Sequence, residues 1–439
     1  MYQAYITKLK NVRPHPNADR LQLGDCFGNT VCVSLDYKDN QLGIYFPTDG
    51  QLSEEYCEHN NLVRKKDDAG NNIGGYMDPN KRNVTAIRLR GEKSDGLFMP
   101  LESLAFTGVN FDELTEGFAF TAINGHEICQ KYIPRRNHRN GSVSQGNRTR
   151  QKKMPIAPLF AEHADTEQLA YNQNAFRPGD DIEITLKMHG TSQRTGYLPT
   201  LKGYKKTLLD RLLRRAGTPI YEYGYVSGTR RTVLENYDGG YYGDNAFRET
   251  HSRAFEGKLM KGETVYYEVV SFTEDGTPIM GKGKVPTEAQ SQYGKEMLFH
   301  YGLDKGSDMY VYRMTMTNED GFVVEYTPDF MRYRCEQMGV KCVPVFWKGQ
   351  VPEHPASAED DTITAGEWVR NKAELYYDGP DPIGKTHVRE GVVVRIINRP
   401  KFCAYKHKNF LFKQISGIIT DNVQTASLTD ATEDILSEM

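Results

Sequence analysis

The sequence predicts an α+β protein in which a small all-β unit precedes a larger domain of strands and helices. Residues 1 to about 125 contain short apolar runs separated by turn residues, a pattern typical of strands. Between residues 165 and 420, strand-like runs such as ETVYYEVVSF and NFLFKQIS occur with helical segments such as KTLLDRLLRRAG. The length of 439 residues is sufficient for two or three domains of ordinary size.

The composition is that of an ordinary globular protein. The chain has 38% hydrophobic and 26% charged residues, which excludes disordered and fibrous classes. No apolar run approaches the roughly 18 residues that a membrane-spanning helix needs, and the first residues lack the apolar core of a signal peptide. We therefore expect a cytoplasmic protein with no membrane contact. The seven cysteines are scattered and contain no C-x-x-C pair, so we expect reduced thiols and no zinc site.

Charge is unevenly distributed along the chain. The formal net charge is only −3, yet no acidic residue lies between Glu127 and Glu162, where eight lysines and arginines occur. We predict that residues 129–160 form a basic linker, which is either a solvated spacer or an arm that contacts phosphates. An acidic C-terminal tail is predicted at residues 421–439. The candidate nucleic-acid contacts in the linker are Arg135, Arg136, Arg139, Arg148 and Arg150.

The motif PHPNADRLQ, residues 14–22, lies near the start of the all-β unit and is followed by LGIYFPTDGQLSEE and IRLRGEKSDGLFMPLE. These segments resemble the barrel of tRNA-binding modules. The resemblance implies an OB-like β-barrel in residues 1–128, a fold that binds oligonucleotides. We expect this domain to bind nucleic acid.

The segment IEITLKMHGTSQRTG carries Lys187 from an apolar strand into a turn that Gly190 permits. A lysine in this position is suited to act as a nucleophile once its amine loses a proton, although an isolated lysine at a strand end is more often a surface residue. Two carboxylates adjoin apolar strands, Glu268 within VYYEVV and Glu390 before GVVVRI. A hydrated Mg²⁺, a ribose hydroxyl or a structural salt bridge would each satisfy such carboxylates.

The order of these segments resembles the covalent nucleotidyltransferase superfamily of ligases and capping enzymes. Lys187-Met188-His189-Gly190 resembles its first motif, usually K-x-D-G, so the resemblance implies that Lys187 becomes adenylylated and that His189 and Gly190 adjoin the nucleotide. His189 stands where aspartate is usual. That departure, and a barrel ahead of the transferase domain, are similar to RNA ligases of the Deinococcus type. An ATP-grasp-like nucleotidyltransferase domain of antiparallel sheets and helices is then expected at residues 161–420.

The resemblance assigns nucleotide contacts to three further segments. In SGTRR, Arg230 or Arg231 would contact a phosphate, and in YYEVV, Glu268 would lie near the ribose. In MYVYRM, Tyr310 or Tyr312 would stack on adenine, with core packing as the alternative.

The remaining motifs concern the metal and a catalytic lysine. EGVVV resembles the motif whose glutamate organises the catalytic metal, so Glu390, together with Glu268, is the candidate for Mg²⁺ or Mn²⁺. For the last motif the candidates are Lys413 in FLFKQIS and Lys406 or Lys408 in YKHKNF. We favour Lys413, because its segment is the more strand-like.

A competing pattern lies at GPDPIGKT, residues 379–386, which satisfies the phosphate-loop pattern G-x-x-x-x-G-K-T. A working phosphate loop needs a strand before it and a helix N-terminus after it. Two prolines interrupt this loop and a β run follows it, so we interpret the match as a coincidence.

The resemblance as a whole implies an ATP-dependent RNA ligase. It would seal 3′-hydroxyl and 5′-phosphate ends, at nicks in an RNA or RNA/DNA hybrid duplex, through a lysyl-AMP intermediate and an adenylylated 5′ end. ATP is the expected substrate and Mg²⁺ or Mn²⁺ the expected cofactor, and no obligate protein partner is evident. The alternatives are a non-catalytic RNA- or tRNA-binding protein with a decayed transferase domain, and a GTP-using enzyme of the capping type.

Overall fold

A computed structural model describes residues 2–65, 75, 77–132, 156–213, 215, 217–234, 237, 245–357, 360 and 362–418. These residues divide into two compact units: residues up to 132 together with 410–418, and residues 156–409. The predicted α+β class is confirmed. The candidate linker arginines Arg135, Arg136, Arg139, Arg148 and Arg150 lie outside the described residues, as does the predicted acidic tail.

Helices are few and short. The α-helices of the described residues are α1 Glu54–His59, α2 Leu208–Leu212, α3 Ala246–Arg253, α4 Gln290–Tyr293, α5 Pro328–Met338, α6 Ala365–Glu374 and α7 Phe410–Ile418. Short 3₁₀-helices occur at Leu101–Thr107, Phe111–Glu113, Leu169–Tyr171, Gln173–Ala175 and Thr287–Ala289. None of the described helices is long and apolar enough to cross a membrane.

The first unit is built from short strands. They are β1 Ala4–Lys8, β2 Lys10–Pro14, β3 Leu21–Cys26, β4 Asn29–Ser34, β5 Leu42–Phe46, β6 Gly50–Leu52, β7 Asn83–Val84, β8 Ala86–Leu89, β9 Glu92–Asp95, β10 Leu97–Pro100, β11 Ala119–Phe120, β12 Ala122–Ile123, β13 His126–Glu127 and β14 Cys129–Lys131. The sheets run β10-β5-β1-β11, β2-β3-β4 and β14-β6-β7, with hairpins β8-β9 and β12-β13. These described strands do not close into one barrel, so the OB-like barrel stays a prediction.

The PHPNADRLQ motif braces the β8–β9 hairpin. The backbone N–H of Asn17 donates to His15 Nδ1, which leaves the ring proton on Nε2, 3.0 Å from the carbonyl oxygen of Leu89. The Asn17 side chain donates to the carbonyl of Arg90 at 3.0 Å. The motif therefore serves the architecture of this unit.

The second unit contains two larger sheets. Its strands are β15 Glu167–Gln168, β16 Asp181–Leu186, β17 Thr191–Lys205, β18 Thr218–Gly228, β19 Val233–Leu234, β20 Glu263–Ser271, β21 Lys282–Lys284, β22 Glu296–Leu298, β23 Ser307–Thr317, β24 Val323–Glu325, β25 Lys341–Cys342, β26 Val345–Gln350, β27 Gly391–Ile396 and β28 Cys403–Lys408. The first sheet runs β15-β28-β27-β16-β26. The second runs β19-β18-β17-β20-β23-β24, with β25 also paired to β23.

Side-chain alternation decides which face of β16 is polar. Ile182 and Ile184 belong to a buried cluster with Val392 and Val394 of β27. The intervening residues of β16, among them Glu183, point to the other face. In the second sheet every residue of β20 is buried, which explains its run of β-branched and aromatic side chains. The polar face of β16 and the middle of β20 are where the candidate site is found.

Stability should depend on pH through His251 of α3. Burial lowers the pKa of His251 to about 4, although the Asp308 carboxylate opposes this shift, and Nε2 lies 2.8 Å from the Ser307 hydroxyl. An unfolded histidine takes up its proton near pH 6.5. Above pH 6.5 His251 is neutral in both the folded and the unfolded protein, so it does not lower the free energy of unfolding. As the pH falls from 6.5 toward 4, the unfolded protein takes up the proton first, and the free energy of unfolding decreases. Between pH 7.5 and pH 5 this uptake should lower the free energy of unfolding by up to about 2 kcal/mol.

Urea unfolding at the two pH values checks this expectation. His251→Gln keeps a polar group beside Ser307 but cannot titrate, so its stability should fall less than that of the wild type. His354 is exposed, and His354→Gln, as the control, should show the wild-type pH dependence. An equal fall in His251→Gln and wild type would contradict the assignment.

Candidate active site

The site is built where β16 ends and β27 begins. Antiparallel pairing aligns Leu186 with Val392, and the backbone N–H of Lys187 donates to the carbonyl of Gly391 at 3.0 Å. Lys187 and Glu390 are therefore brought together from positions about two hundred residues apart. Lys187 Nζ lies 3.0 Å from Glu390 Oε1, and both side chains are buried.

Glu390 is the centre of a buried charge cluster. Lys408 Nζ, at the end of β28, lies 3.3 Å from Glu390 Oε1, and His189 Nδ1 lies 3.4 Å from Oε2. The backbone N–H of Asn409 donates to the backbone carbonyl of Glu390 at 2.8 Å. The Glu390 carboxylate itself is removed from water and therefore needs partners such as the Lys187 and Lys408 ammonium groups. The cluster thus holds the Lys187 ammonium at a fixed position in a largely desolvated place.

His189 lies two residues after Lys187 and faces the Glu390 carboxylate. Its side chain is 1% exposed, its backbone N–H donates to the Tyr301 hydroxyl at 2.7 Å, and its ring packs edge-on against Phe299. Burial raises the pKa of Tyr301 well above its usual value, so that hydroxyl stays neutral. The imidazole of His189 lies beside the Glu390 carboxylate. An aspartate at position 189 would instead repel the carboxylate of Glu390.

Gly190 is required by a close approach to β20. A Cβ atom at this position would lie 2.4 Å from the carbonyl oxygen of Val269 and 2.7 Å from Val270 Cγ1. The residue therefore lets the chain pass from Lys187 into β17 directly against the neighbouring strand.

Tyr312 and Glu268, which belong to the second sheet, line the same cleft as Lys187. Strand register pairs Glu268 of β20 with Ser192 of β17, and the Tyr312 hydroxyl lies 3.0 Å from the Ser192 hydroxyl. Burial raises the pKa of Tyr312. Tyr312 is partly buried and packs against the cluster that contains Leu186, whereas Tyr310 is a buried member of that cluster and donates its hydroxyl to Asp308 at 3.0 Å. Of the two predicted tyrosines, Tyr312 lines the cleft and Tyr310 is a core residue.

Arg230 and Arg231 differ in position although they are adjacent. Arg230 is buried and lines the cleft, with Nη1 2.7 Å from Asp165 Oδ1. Arg231 is more exposed and lies 3.2 Å from the same carboxylate. Burial alone would raise the pKa of Asp165, but the two guanidinium groups hold it below its usual value. Asp165 is therefore an anion that orients Arg230.

The turn that carries Arg230 is anchored by Arg194 of β17. Arg194 is 1% exposed and its guanidinium stacks over the Phe160 ring at 4.2 Å. Because a buried guanidinium must satisfy all its donors, it fixes the neighbouring chain segments. It donates to the backbone carbonyls of Phe160, Ala161, Thr229 and Arg231.

These walls line a cleft that is open to solvent. Of the seventeen lining residues, Lys187, Arg230, Glu268 and Tyr312 were predicted from the sequence as site residues and the other thirteen were not. Glu183 accepts two hydrogen bonds from Arg332, at 3.0 and 2.7 Å. His163 Nδ1 accepts from Arg313 at 3.1 Å. The lining comprises His163, Thr166, Glu183, Thr185, Leu186, Lys187, Met188, Arg230, Glu268, Tyr312, Pro328, Met331, Val343, Val393, Arg395, Phe402 and Ala404.

Lys413 was preferred as the lysine of the last motif because its segment looked like a strand. That reason is wrong, because FLFKQIS forms helix α7. Lys413 belongs to the first unit, where Nζ lies 2.5 Å from Asp95 Oδ2. Short apolar runs do not separate strand from helix by periodicity alone. The strand is instead β28, which carries Lys406 and Lys408, and Lys408 contacts Glu390. Lys406 acts electrostatically on Asp165.

GPDPIGKT does not form a phosphate loop. The Asp381 carboxylate accepts hydrogen bonds from the backbone N–H groups of Ile383, Gly384 and Thr386, at 2.8 to 3.0 Å. The amides that would cradle a phosphate are thus occupied by the loop's own carboxylate, and strand β27 follows. The interpretation of this match as a coincidence is supported by these contacts.

Within the described part of the chain, no group of three or more His, Cys, Asp or Glu side chains is arranged to hold a metal ion. Magnesium and manganese in nucleotide sites, however, are commonly held by one or two carboxylates together with substrate phosphates. Glu268 lines the cleft and Glu390 lies 3.0 Å from the cleft-lining Lys187, so these two carboxylates are compatible with that mode of binding.

Comparison with known proteins identifies the fold. No protein-family model matches the chain, and no curated protein sequence matches it significantly. Among solved structures, the chain is similar to a Naegleria gruberi RNA ligase mutant with ATP and Mn, with a TM-score of 0.53 and 16% identity over 94% of this chain and 98% of that one.

A second structure of Naegleria gruberi RNA ligase, with PPi, gives a TM-score of 0.53 and 17% identity over 92% of this chain and 96% of that one. The chain therefore shares the fold of these RNA ligases over nearly its whole length. The expected kinship with the Deinococcus type stays a prediction.

Gly190→Ala should lower the free energy of unfolding by about 2 kcal/mol or more, because the added methyl group forces β17 away from β20. Thermal or urea unfolding measures the change. Gly203→Ala is the matched control, since nothing lies within 4 Å of a Cβ atom built on Gly203 of the same strand. Equal stability of the two variants would contradict the close approach at Gly190.

Proposed function

We propose that the protein is an ATP-dependent RNA ligase that joins a 3′-hydroxyl end to a 5′-phosphate end through adenylylated Lys187. The observation that carries this proposal is the position of the Lys187 amine, 3.0 Å from Glu390 and lining a cleft that also contains Glu268, Arg230 and Tyr312. The shared fold with RNA ligases whose structures contain ATP and Mn, or PPi, supports it.

In the first step, the Lys187 amine attacks the α-phosphorus of ATP. A phosphorus–nitrogen bond forms, the bond to pyrophosphate breaks, and AMP remains on the lysine. The attack needs an unprotonated amine, and Glu390 Oε1, at 3.0 Å, is an acceptor for the departing proton. Arg230 and Lys408 add positive charge where the phosphates gain negative charge. Tyr312 offers a ring for the base.

The next two steps transfer AMP to a 5′-phosphate and then displace it with a 3′-hydroxyl, which closes the strand. Positioning and charge neutralisation account for most of the catalysis in such transfers. Glu268 and Glu390 are the residues that would hold Mg²⁺ or Mn²⁺, and a bound metal would supply neutralisation of phosphate charge. We infer a nicked RNA or RNA/DNA hybrid duplex as the acceptor.

The decisive experiment incubates the full chain with α-³²P-labelled ATP and Mg²⁺ and separates the products on a denaturing gel. A covalent band is expected in the wild type and absent in Lys187→Ala. Lys341, an exposed lysine of the same unit, provides the matched control: Lys341→Ala should label as the wild type does.

Labelled GTP run in parallel separates the ligase from a capping-type enzyme. A band from GTP alone would favour the capping-type alternative. No band from either nucleotide, in folded protein that mass spectrometry shows to be free of bound AMP, would refute the transferase proposal and favour a non-catalytic binding protein.

A second experiment distinguishes Lys408 from Lys413. Lys408→Ala removes a cation 3.3 Å from Glu390 and should reduce the rate of lysine adenylylation roughly 100-fold. Lys413→Ala should leave that rate within about twofold per folded molecule, although it leaves Asp95 without its ammonium partner and costs about 1–3 kcal/mol of stability. Single-turnover labelling, with unfolding curves beside it, makes the comparison. The reverse pattern of rates would restore Lys413 as the catalytic lysine.

A further inference from the structure

Two cysteines lie together where helix α5 meets strand β25, and both are free thiols. Gly339 ends α5 in the left-handed conformation, with a φ of 70°. The backbone N–H of Val340 donates to the carbonyl of Cys335 at 3.0 Å, so the chain turns back over the last turn of the helix. Strand β25 follows at once and ends at Cys342. The turn therefore brings Cys342 close to Cys335.

The side chains of the pair face each other between the helix and the strand, since α5 packs against β25. Cys335 is 1% exposed and lies on the buried face of α5 with Met331 and Met338. In β25 the Lys341 side chain is exposed. Successive side chains of a strand point to opposite faces, so Cys342 points away from the face of Lys341 and toward the helix.

The two thiols interact directly. A side-chain hydrogen bond joins Cys335 to Cys342, and it lowers the pKa of Cys342 while it raises the pKa of Cys335. Burial opposes the lower pKa of Cys342, whereas the positive charge of Arg332 adds to it. Cys342 is also the more accessible of the two, because its side chain is only partly buried. The pair thus combines an accessible sulfur of thiolate character with a buried thiol that donates to it.

Three other cysteines provide a contrast. Cys57 and Cys129 are buried, and burial raises their pKa to about 11 and about 12. Cys32 is partly exposed, yet burial raises its pKa as well. A thiol held in its protonated form is a poor nucleophile, because the thiolate is the reactive species. The surroundings of Cys342 therefore favour reaction where those of the other three oppose it.

The pair lies directly behind residues that line the cleft. Met331, one turn before Cys335, lines the cleft, and so does Val343, which follows Cys342. Neither cysteine belongs to the lining itself. Reaction at the pair can therefore be followed without changing the residues to which nucleotide chemistry is assigned.

We propose that Cys335 and Cys342 form a modification site, at which a peroxide converts the two thiols into an intramolecular disulfide. The Cys342 sulfur attacks the peroxide, so that a sulfur–oxygen bond forms, the oxygen–oxygen bond breaks, and water or an alcohol leaves. The Cys335 sulfur then attacks the sulfenic acid on Cys342, and its proton leaves with the hydroxyl group as water. The two sulfurs lose two electrons and the peroxide gains them. This inference goes beyond the proposed ligase function and does not depend on it.

Peptide mapping of the peroxide-treated full chain tests the proposal. Trypsin cleaves after Arg334, Lys341 and Lys348, so the two cysteines fall in separate peptides, 335–341 and 342–348, which a disulfide would join. The reduced, folded protein is treated with hydrogen peroxide, blocked with N-ethylmaleimide and digested. The wild type should give the linked pair of peptides, and dithiothreitol should separate them.

Three serine variants distinguish the roles of the thiols. Cys335→Ser should stop at the sulfenic acid on Cys342, which dimedone traps. Cys342→Ser should give neither the linked peptides nor a dimedone adduct on Cys335. Cys32→Ser, at a partly exposed cysteine outside the pair, is the matched control and should give the wild-type yield of linked peptides. Circular dichroism shows whether each variant is folded.

Relative rates supply a quantitative criterion. In the wild type, Cys342 should react with peroxide at least about tenfold faster than Cys32, because one pKa unit changes the thiolate fraction about tenfold. Folded wild-type protein that gives no linked peptides, or that links either cysteine to other cysteines in comparable yield, would overturn the proposal. Equal rates at Cys342 and Cys32 would also overturn it.

Discussion

The buried carboxylate of Glu390 is the interaction on which the candidate site depends. It lies within 3.4 Å of two ammonium groups and one imidazole, and all four side chains are buried. Removing any one partner would leave charge in a place where water cannot replace it. The same requirement that stabilises the cluster therefore fixes the Lys187 amine at the cleft. The salt-bridge contacts of Glu390 also place the Lys187 amine at the cleft, so the salt-bridge interpretation does not exclude the other two that the sequence offered, a bound Mg²⁺ or a ribose hydroxyl.

Sheet geometry explains how this cluster can form at all. Strands β16 and β28 end, and strand β27 begins, at the same end of one sheet. This brings Lys187, Glu390 and Lys408 side by side. The second sheet supplies Glu268 from the fully buried strand β20. Gly190 permits the chain to cross from one sheet to the other without a side chain in the way. The positions of these side chains thus depend on backbone registers, which fix positions more firmly than loops do.

Much of this could be predicted from the sequence, and the failures have physical reasons. The apolar runs around three site residues are unmistakable, so the placement of Lys187 and Glu390 at strand ends and of Glu268 inside a strand followed from the sequence. The helix that carries Lys413 was not predicted, because a run such as FLFKQIS suits either a strand or a buried helix face. Glu183 was overlooked because a single charge in an apolar strand does not reveal its partner, which lies 149 residues away on α5. The predicted barrel of the first unit is not confirmed, because closure depends on how separate strands pair, which no local pattern determines.

Strand β17 joins separate parts of the cleft through one continuous element. It begins directly after Gly190, close to Lys187, and carries the buried Arg194 that anchors the turn of Arg230. Because a β-strand held by two neighbours does not bend independently of them, the positions of Lys187 and Arg230 are fixed relative to each other. Precise positioning is the main contribution that a protein makes to phosphoryl transfer. A strand that fixes both the Lys187 and the Arg230 side of the cleft would provide that positioning without requiring either side to move.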